Sequence, residues 1–163
     1  MRKNILGGYT RIVKEEGVYY IPDVENEIVF SVQRSSKDIV FSIERLPEVK
    51  EFYIYIDINR LNKVGIEKSL GESFTFYPSF AWEYAFSYRD DKVSLYRISG
   101  RDYRKIKDFP VLRKEDSIYF TVSRTDIEGN FINWDYILSC YFQDGSKKGI
   151  YILINDRFLK PVR

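Results

Sequence analysis

Histidine is absent from this chain of 163 residues, which also contains only one cysteine and one methionine. Without histidine, a Ser-His-Asp triad, a Cys-His pair and a histidine-ligated metal site are all excluded. The single cysteine, Cys140, cannot form an internal disulfide or a thiolate cluster, and its place in an apolar strand pattern predicts a small core residue. Acid–base catalysis would have to rely on carboxylates, tyrosine, lysine or this cysteine.

Long apolar runs are also missing, since none reaches the roughly 18 residues that a transmembrane helix needs. Residues 1–8 begin with basic residues but lack the apolar stretch of a signal peptide. The 26 Lys and Arg against 24 Asp and Glu leave a net charge of +2, without the basic surplus usual in nucleic-acid-binding proteins. We therefore expect neither membrane insertion nor a nucleic acid partner, and the sequence assigns no cellular compartment. Its richness in Ile, Tyr, Lys and Glu is typical of a thermophilic source.

Apolar residues alternate with polar ones along much of the chain, which predicts β-strands, and no amphipathic helix of ten residues stands out. The alternation predicts about nine strands, at residues 18–21, 26–33, 38–43, 51–59, 82–88, 92–98, 117–123, 134–142 and 149–155. Polar turns between them favour an all-β, antiparallel two-sheet β-sandwich with little helix, and a closed barrel is the alternative. We expect residues 1–163 to form one domain, with 1–17 as a loosely attached N-terminal segment.

The clearest strand pattern lies in residues 51–59. Ile54 and Ile56 share one face of this strand, which we expect to point into the core, and Tyr53 and Tyr55 lie on the opposite face. In residues 82–88 the same alternation predicts that Trp82 and Tyr84 share a face, and in 134–142 it places Trp134 and Tyr136 in the core.

Residues 51–58 have the sequence EFYIYIDI, in which apolar alternation ends in an acidic residue, and residues 81–96 follow as a candidate hairpin. These two segments resemble the central strand and the next hairpin of the family 9-like carbohydrate-binding modules. Residues 117–123 leading to 134–145 are similar to the C-terminal sandwich domain of glucodextranases and amylopullulanases. The resemblance, which spans residues 18–163, implies a non-catalytic module that binds carbohydrate, either attached to a parent enzyme or as a stand-alone relative.

Aromatic residues are the one excess of the composition, at 17% with 14 Tyr, 12 Phe and 2 Trp. Flat aromatic rings suit the apolar C–H faces of sugars, and neighbouring polar groups can bind sugar hydroxyls. We therefore expect a glucan-type sugar to be bound by these residues: Tyr53, Tyr55, Asp57, Asn59, Trp82 and Tyr84. The alternative is a structural or assembly domain that uses the same tyrosine-rich face as a protein–protein interface. The aromatic residues around Pro78 form either a binding slot or a hydrophobic plug at one end of the sandwich.

The charged residues point to structure rather than to catalysis. Arg89, Arg97 and Arg104 each follow a tyrosine, a pairing that can stack bases and bind phosphates, but the low net charge favours salt-bridged surface arginines. The adjacent acids Asp90 and Asp91 fit a hairpin turn, and the charged run 101–107 is predicted to be a solvated loop.

Catalytic residues are not predicted, because the chain has no phosphate-binding loop and no nucleophile motif. A glycosidase acting through two carboxyl groups is the weakest of the three function classes, since no acid pair is recognisable. No cofactor is expected, although Asp23, Glu25 and Glu27 have oxygen-ligand character and leave calcium open.

Overall fold

Alternating strands build almost all of the part of the chain that the structure describes. The computed structural model describes residues 9–11, 14–15, 18–21, 28–44, 49–58, 65–72, 75–76, 81–115, 117–127, 134–142 and 147–153. These residues contain thirteen strands and no helix. The strands are β1 Tyr9–Arg11, β2 Lys14–Glu15, β3 Val18–Ile21, β4 Ile28–Arg34, β5 Asp38–Glu44, β6 Val49–Asp57, β7 Tyr84–Arg89, β8 Lys92–Ser99, β9 Asp102–Pro110, β10 Leu112–Lys114, β11 Ser117–Ser123, β12 Asp135–Phe142 and β13 Lys147–Leu153.

Two separate sheets form the β-sandwich that the sequence predicts. The seven-stranded sheet has the order β1-β13-β12-β6-β7-β8-β9, and the six-stranded sheet has the order β10-β11-β5-β4-β3-β2. Neighbouring strands are antiparallel except β1 and β13, which pair in parallel. Within the N-terminal segment 1–17, the described strands β1 and β2 both pair with strands of the sandwich.

Each of the nine predicted strand segments overlaps an observed strand, and β1, β2, β9 and β10 are additional. The prediction of a solvated loop at 101–107 was wrong, because this run lies mostly in β9, at the edge of the seven-stranded sheet. Most side chains of β9 are nevertheless exposed. Its sequence therefore lacks the alternation of apolar and polar residues by which a strand is predicted.

The main core lies between the sheets and is built from the inward-facing residues of both. Ile54 and Ile56 of β6 are fully buried there, as the alternation predicts, and Cys140 is a buried core residue. Phe41 of the six-stranded sheet contacts Phe86 of the seven-stranded sheet with ring centroids 5.0 Å apart. Trp134 and Tyr136 belong to the same core, which confirms their predicted role.

The β7–β8 hairpin has the turn that its acids predict. Asp90 and Asp91 take φ values of 53° and 58°, and Arg89 pairs with Lys92 across the turn. Two consecutive residues with positive φ fit a type I′ turn, which aspartate tolerates better than most residues. This hairpin places the exposed Arg89 and Lys92 at one end of the seven-stranded sheet.

Candidate functional site

A second hydrophobic cluster lies on the outer face of the seven-stranded sheet, the face turned away from the six-stranded sheet. We call the residues that cover one end of this face the strap: 65–72, 75–76 and 81–83. Under the strap, Tyr55 of β6 and Ile137 of β12 pack with Phe76 and Trp82. Phe76 and Trp82 therefore cover a sheet face, rather than plugging an end of the sandwich or forming an open slot. The other aromatic residues around Pro78 lie outside the described residues.

Trp82 is fully buried, and its indole N–H donates to the backbone oxygen of Lys68 at 2.9 Å. Tyr84 is also buried, but it belongs to the main core, so these two residues lie on opposite faces. The alternation fails here because the chain bends at Glu83, and Trp82 pairs with Ile66 of the strap. The expectation that Trp82 and Tyr84 share a face was wrong.

The predicted ligand residues are thus only partly brought together at a surface. Tyr55 is 1% exposed, so neither it nor Trp82 or Tyr84 offers an open ring to a ligand. Asp57 is buried at the covered end of the face. Tyr53 is half-buried and lies at the edge of the strap, and Asn59 lies outside the described residues.

Glu72 fastens the strap to the sheet. Its carboxylate accepts hydrogen bonds from the hydroxyls of Tyr55, Tyr141 and Ser139, the last at 2.6 Å. Burial raises the pKa of the Tyr55 hydroxyl, and the nearby negative charge of Glu72 adds to this increase. Burial and the neighbouring Glu72 also raise the pKa of the Tyr141 hydroxyl. Both phenols therefore remain protonated hydrogen-bond donors at neutral pH. The Tyr55 hydroxyl also accepts from the backbone N–H of Leu70 at 3.1 Å.

Three buried acids, Asp57, Glu83 and Asp135, lie where the strap joins the sheet. Asp57 and Asp135 are cross-strand partners, and Glu83 accepts from the backbone N–H of Ile58 at 2.8 Å. Burial raises the pKa of Glu83 to about 8, an effect opposed by the Ile58 N–H and reinforced by Asp57. Glu83 therefore keeps its proton at neutral pH, which lowers the cost of burying several carboxyl groups together.

Beyond the strap, the same outer face forms an open groove of about 620 Å³. Its floor is made of the small residues Ser87 and Ser94, which are cross-strand partners on β7 and β8. Tyr53 borders the floor on the β6 side and Tyr96 on the β8 side, so their strands lie about 10 Å apart, two strand spacings. Tyr103 completes the aromatic lining and contacts Tyr96 edge to face at 5.7 Å between centroids.

The strap closes one side of this groove through Leu70 and Gly71. The groove is deep because small residues form its floor while aromatic residues rise at its sides. The volume falls within the range of ordinary small-ligand pockets, while the serine, lysine and arginine lining makes it more polar than most of them.

Charged side chains around the groove form ion pairs. Arg89 binds Glu51 at 2.6 Å. Lys92 and Lys105 both approach Asp108, at 3.8 Å and 2.9 Å. These pairs cancel much of the cationic charge of the lining, so the groove does not present a concentrated positive field.

Of the three tyrosine–arginine pairs, the arginines do not converge on one surface. Arg89 is salt-bridged at the groove, as expected. Arg97 lies 5.8 Å from the ring of Tyr84, a residue of the main core, and Arg104 is its cross-strand partner on β9. Arg97 and Arg104 therefore belong to the other face of the sheet from the groove, a placement that does not favour one phosphate-binding surface.

Sequence reasoning missed Tyr96, Tyr103 and Lys105 as groove residues, and Asp108 as the acid that bonds with Ser94 and Lys105 beside the groove. The alternation in 92–98 could have placed Ser94 and Tyr96 on one face, opposite Leu95. A bulge between Leu95 and Tyr96 shifts the β8–β9 register, so the partners on β9 could not be derived by counting residues.

Among the described residues, no group of three or more His, Cys, Asp or Glu side chains is arranged to hold a metal ion. The calcium candidates Asp23, Glu25 and Glu27 lie outside those residues. In the same part of the chain, no helix has the length and apolarity required to cross a membrane. Comparisons with protein-family models, with curated proteins and with solved structures find no match.

Proposed function

We propose that this chain binds carbohydrate without cleaving it, through the groove, in the manner of the family 9-like modules that its sequence resembles. The observation that carries the proposal is the lining of the groove: Tyr53, Tyr96 and Tyr103 surround a floor of two serines. Aromatic rings can pack against the C–H faces of a pyranose, while serine and charged groups exchange hydrogen bonds with its hydroxyls.

The charges support a neutral ligand over a polyanion. Because Arg89 is paired with Glu51, and Lys105 with Asp108, counterion release would add little to binding. A glucan-type sugar fits this balance better than a nucleic acid does.

The acids Asp108, beside the groove, and Glu83, at the strap, support binding without hydrolysis. Hydrolysis by a carboxyl pair needs a general acid that keeps its proton near neutral pH. Hydrogen bonds from Ser94 and then Lys105 lower the pKa of Asp108, so this carboxylate is an acceptor and not a proton donor. Glu83 does have a raised pKa, but it is buried at the strap and does not line the groove.

A glycan array followed by isothermal titration calorimetry tests the proposal. We expect a Kd of roughly 0.01–1 mM, equivalent to about 4–7 kcal/mol, with little change between low and high salt. Tyr96→Ala should weaken binding tenfold or more with an unchanged circular dichroism spectrum. The matched control is Tyr119→Ala, which removes another half-buried tyrosine from the six-stranded sheet. A blank panel at millimolar sugar would refute the proposal and favour the protein-interface alternative.

A further inference from the structure

A polar cluster of Asp108, Lys105 and Lys92 adjoins the groove floor at Ser94. Across the sheet, Tyr53, Ser87, Ser94 and Asp108 are successive cross-strand partners, so the floor runs directly into Asp108 of β9. Asp108 Oδ1 accepts from the Ser94 hydroxyl at 2.5 Å and lies 2.9 Å from Lys105 Nζ.

The cluster retains hydrogen-bonding capacity on both its acidic and its basic members. Asp108 Oδ2 has Lys92 Nζ at 3.8 Å, which is beyond hydrogen-bond distance. A carboxylate accepts through both oxygens, and each lysine ammonium carries three donors, so acceptor and donor sites remain available for a ligand. Lys92 and Lys105 line the groove, and Asp108 lies next to both of them. Their side chains are 57%, 44% and 38% exposed, so a ligand in the groove can reach them.

A donor and an acceptor held this close match two adjacent hydroxyl groups. One hydroxyl can donate to the carboxylate while its neighbour accepts from an ammonium, and the oxygens of a vicinal diol are about one hydrogen-bond length apart. An apolar ligand would leave these groups unpaired.

We propose that Asp108, together with Lys105 and Lys92, forms a subsite that recognises a vicinal diol of a sugar ring whose face packs on Tyr96. This inference rests on the proposed carbohydrate binding and narrows its ligand class. The favoured ligands are glycans whose linkages leave adjacent hydroxyls free, such as 1,4-linked glucans. In 1,3-linked glucans the linkage occupies O3 of every interior residue. The hydroxyls that stay free, at C2 and C4, are not adjacent to each other.

Calorimetry with maltohexaose, cellohexaose and laminarihexaose tests the subsite. At least one 1,4-linked hexaose should bind five times more tightly than 1,3-linked laminarihexaose. Asp108→Asn should weaken its binding at least fivefold, because the amide replaces an acceptor oxygen by a donor and removes the charge that holds Lys105. The control is Asp102→Asn, an exposed acid of the same strand whose carboxylate pairs with Lys68, whereas that of Asp108 bonds with the groove residues Ser94 and Lys105.

The possible results separate the subsite from the general function. Equal binding by the Asp108 and Asp102 variants, or equal binding of the 1,3- and 1,4-linked hexaoses, overturns the diol subsite while carbohydrate binding stands. Tighter binding of a 1,4-linked hexaose by Asp108→Asn also overturns it, because the carboxylate would then not be the acceptor of a sugar hydroxyl. The subsite is also overturned if neither maltohexaose nor cellohexaose binds. The proposed function fails as well only if the whole glycan panel shows no binding.

Discussion

Glu72 joins two parts of the molecule through one carboxylate, since hydroxyls from β6 and β12 both donate to it. Hydrogen bonds to a charged group contribute about 1.5–3 kcal/mol each, and losses within one network are not additive. The attachment of the strap at this point therefore depends on a single side chain.

Glu72→Gln should lower the free energy of unfolding by about 1–3 kcal/mol, because the amide replaces one acceptor oxygen by a donor that faces hydroxyl donors. Urea denaturation measures this change. Glu44→Gln is the control, since Glu44 accepts only a long 3.4 Å bond from Tyr119 among the bonds described here, and it should cost under about 0.5 kcal/mol. Equal losses in the two variants would show that the hydroxyl cluster does not hold the strap.

Glu83 should make stability depend on pH. Its folded-state pKa is about 8 against an ordinary value of 4.5, so between these values the folded state holds a proton that the unfolded state has released. The contribution of Glu83 to stability therefore falls as pH rises from about 5 to about 8. Glu83→Gln cannot ionise and should remove this part of the slope in urea denaturation at pH 5, 6.5 and 8. The control Glu115→Gln, at an exposed residue, should keep the full dependence of stability on pH. The same dependence in Glu83→Gln as in the unmodified protein would contradict a raised pKa of Glu83.

At the scale of elements, the strap depends on close backbone packing at Gly65. This residue has φ +100°, and an added Cβ would lie 2.6 Å from the backbone oxygen of Trp82 and overlap Glu83 Oε2. Glycine is thus required both for its backbone conformation and for the space that the strap leaves.

Gly65→Ala should destabilise the protein by about 2 kcal/mol or more, combining the strain of a positive φ with the steric overlap. Gly100→Ala is the matched control, because Gly100 also has a positive φ of +65° but nothing lies within 4 Å of its added Cβ. It should cost only the backbone strain, about 1 kcal/mol. Thermal or urea denaturation compares them, and an equal cost would mean that the strap is not packed closely at Gly65.

At the scale of the whole molecule, hydrophobic residues form two layers, one between the sheets and one beneath the strap. The seven-stranded sheet is therefore covered on both faces at the strap end and open on its outer face at the groove. This asymmetry explains why Tyr55 and Tyr53, two residues apart on β6, have different environments.

Substitutions in either layer should destabilise the fold. Ile54→Ala should cost about 2–5 kcal/mol and Trp82→Ala about 3–5 kcal/mol, since both side chains are fully buried. Leu112→Ala, at a residue 76% exposed, should change stability by less than about 0.5 kcal/mol in the same denaturation experiment. A Trp82→Ala variant as stable as the Leu112 control would place Trp82 at the surface instead.

The inward faces of the strands could be predicted because burial of one strand face requires an apolar residue at every second position. Ile54 and Ile56 lie where the alternation places them, and each of the nine predicted segments overlaps a strand. The face of Trp82 could not be predicted, because a bend at Glu83 interrupts the period of two and the partner of Trp82 is Ile66, sixteen residues earlier.

The sequence by itself determined the all-β class, the main strands and the inner faces, since all three follow from local alternation and from turn residues such as Asp90 and Asp91. Only the tertiary structure decided which aromatic residues meet at a surface. The groove joins residues of β6, β7, β8 and β9 with Leu70 and Gly71 of the strap, and those positions are set by strand order, by the β8–β9 bulge and by the strap. Such nonlocal contacts leave no period in the sequence, so the burial of Tyr55 and the pairing of Tyr96 with Lys105 emerge only in the folded chain.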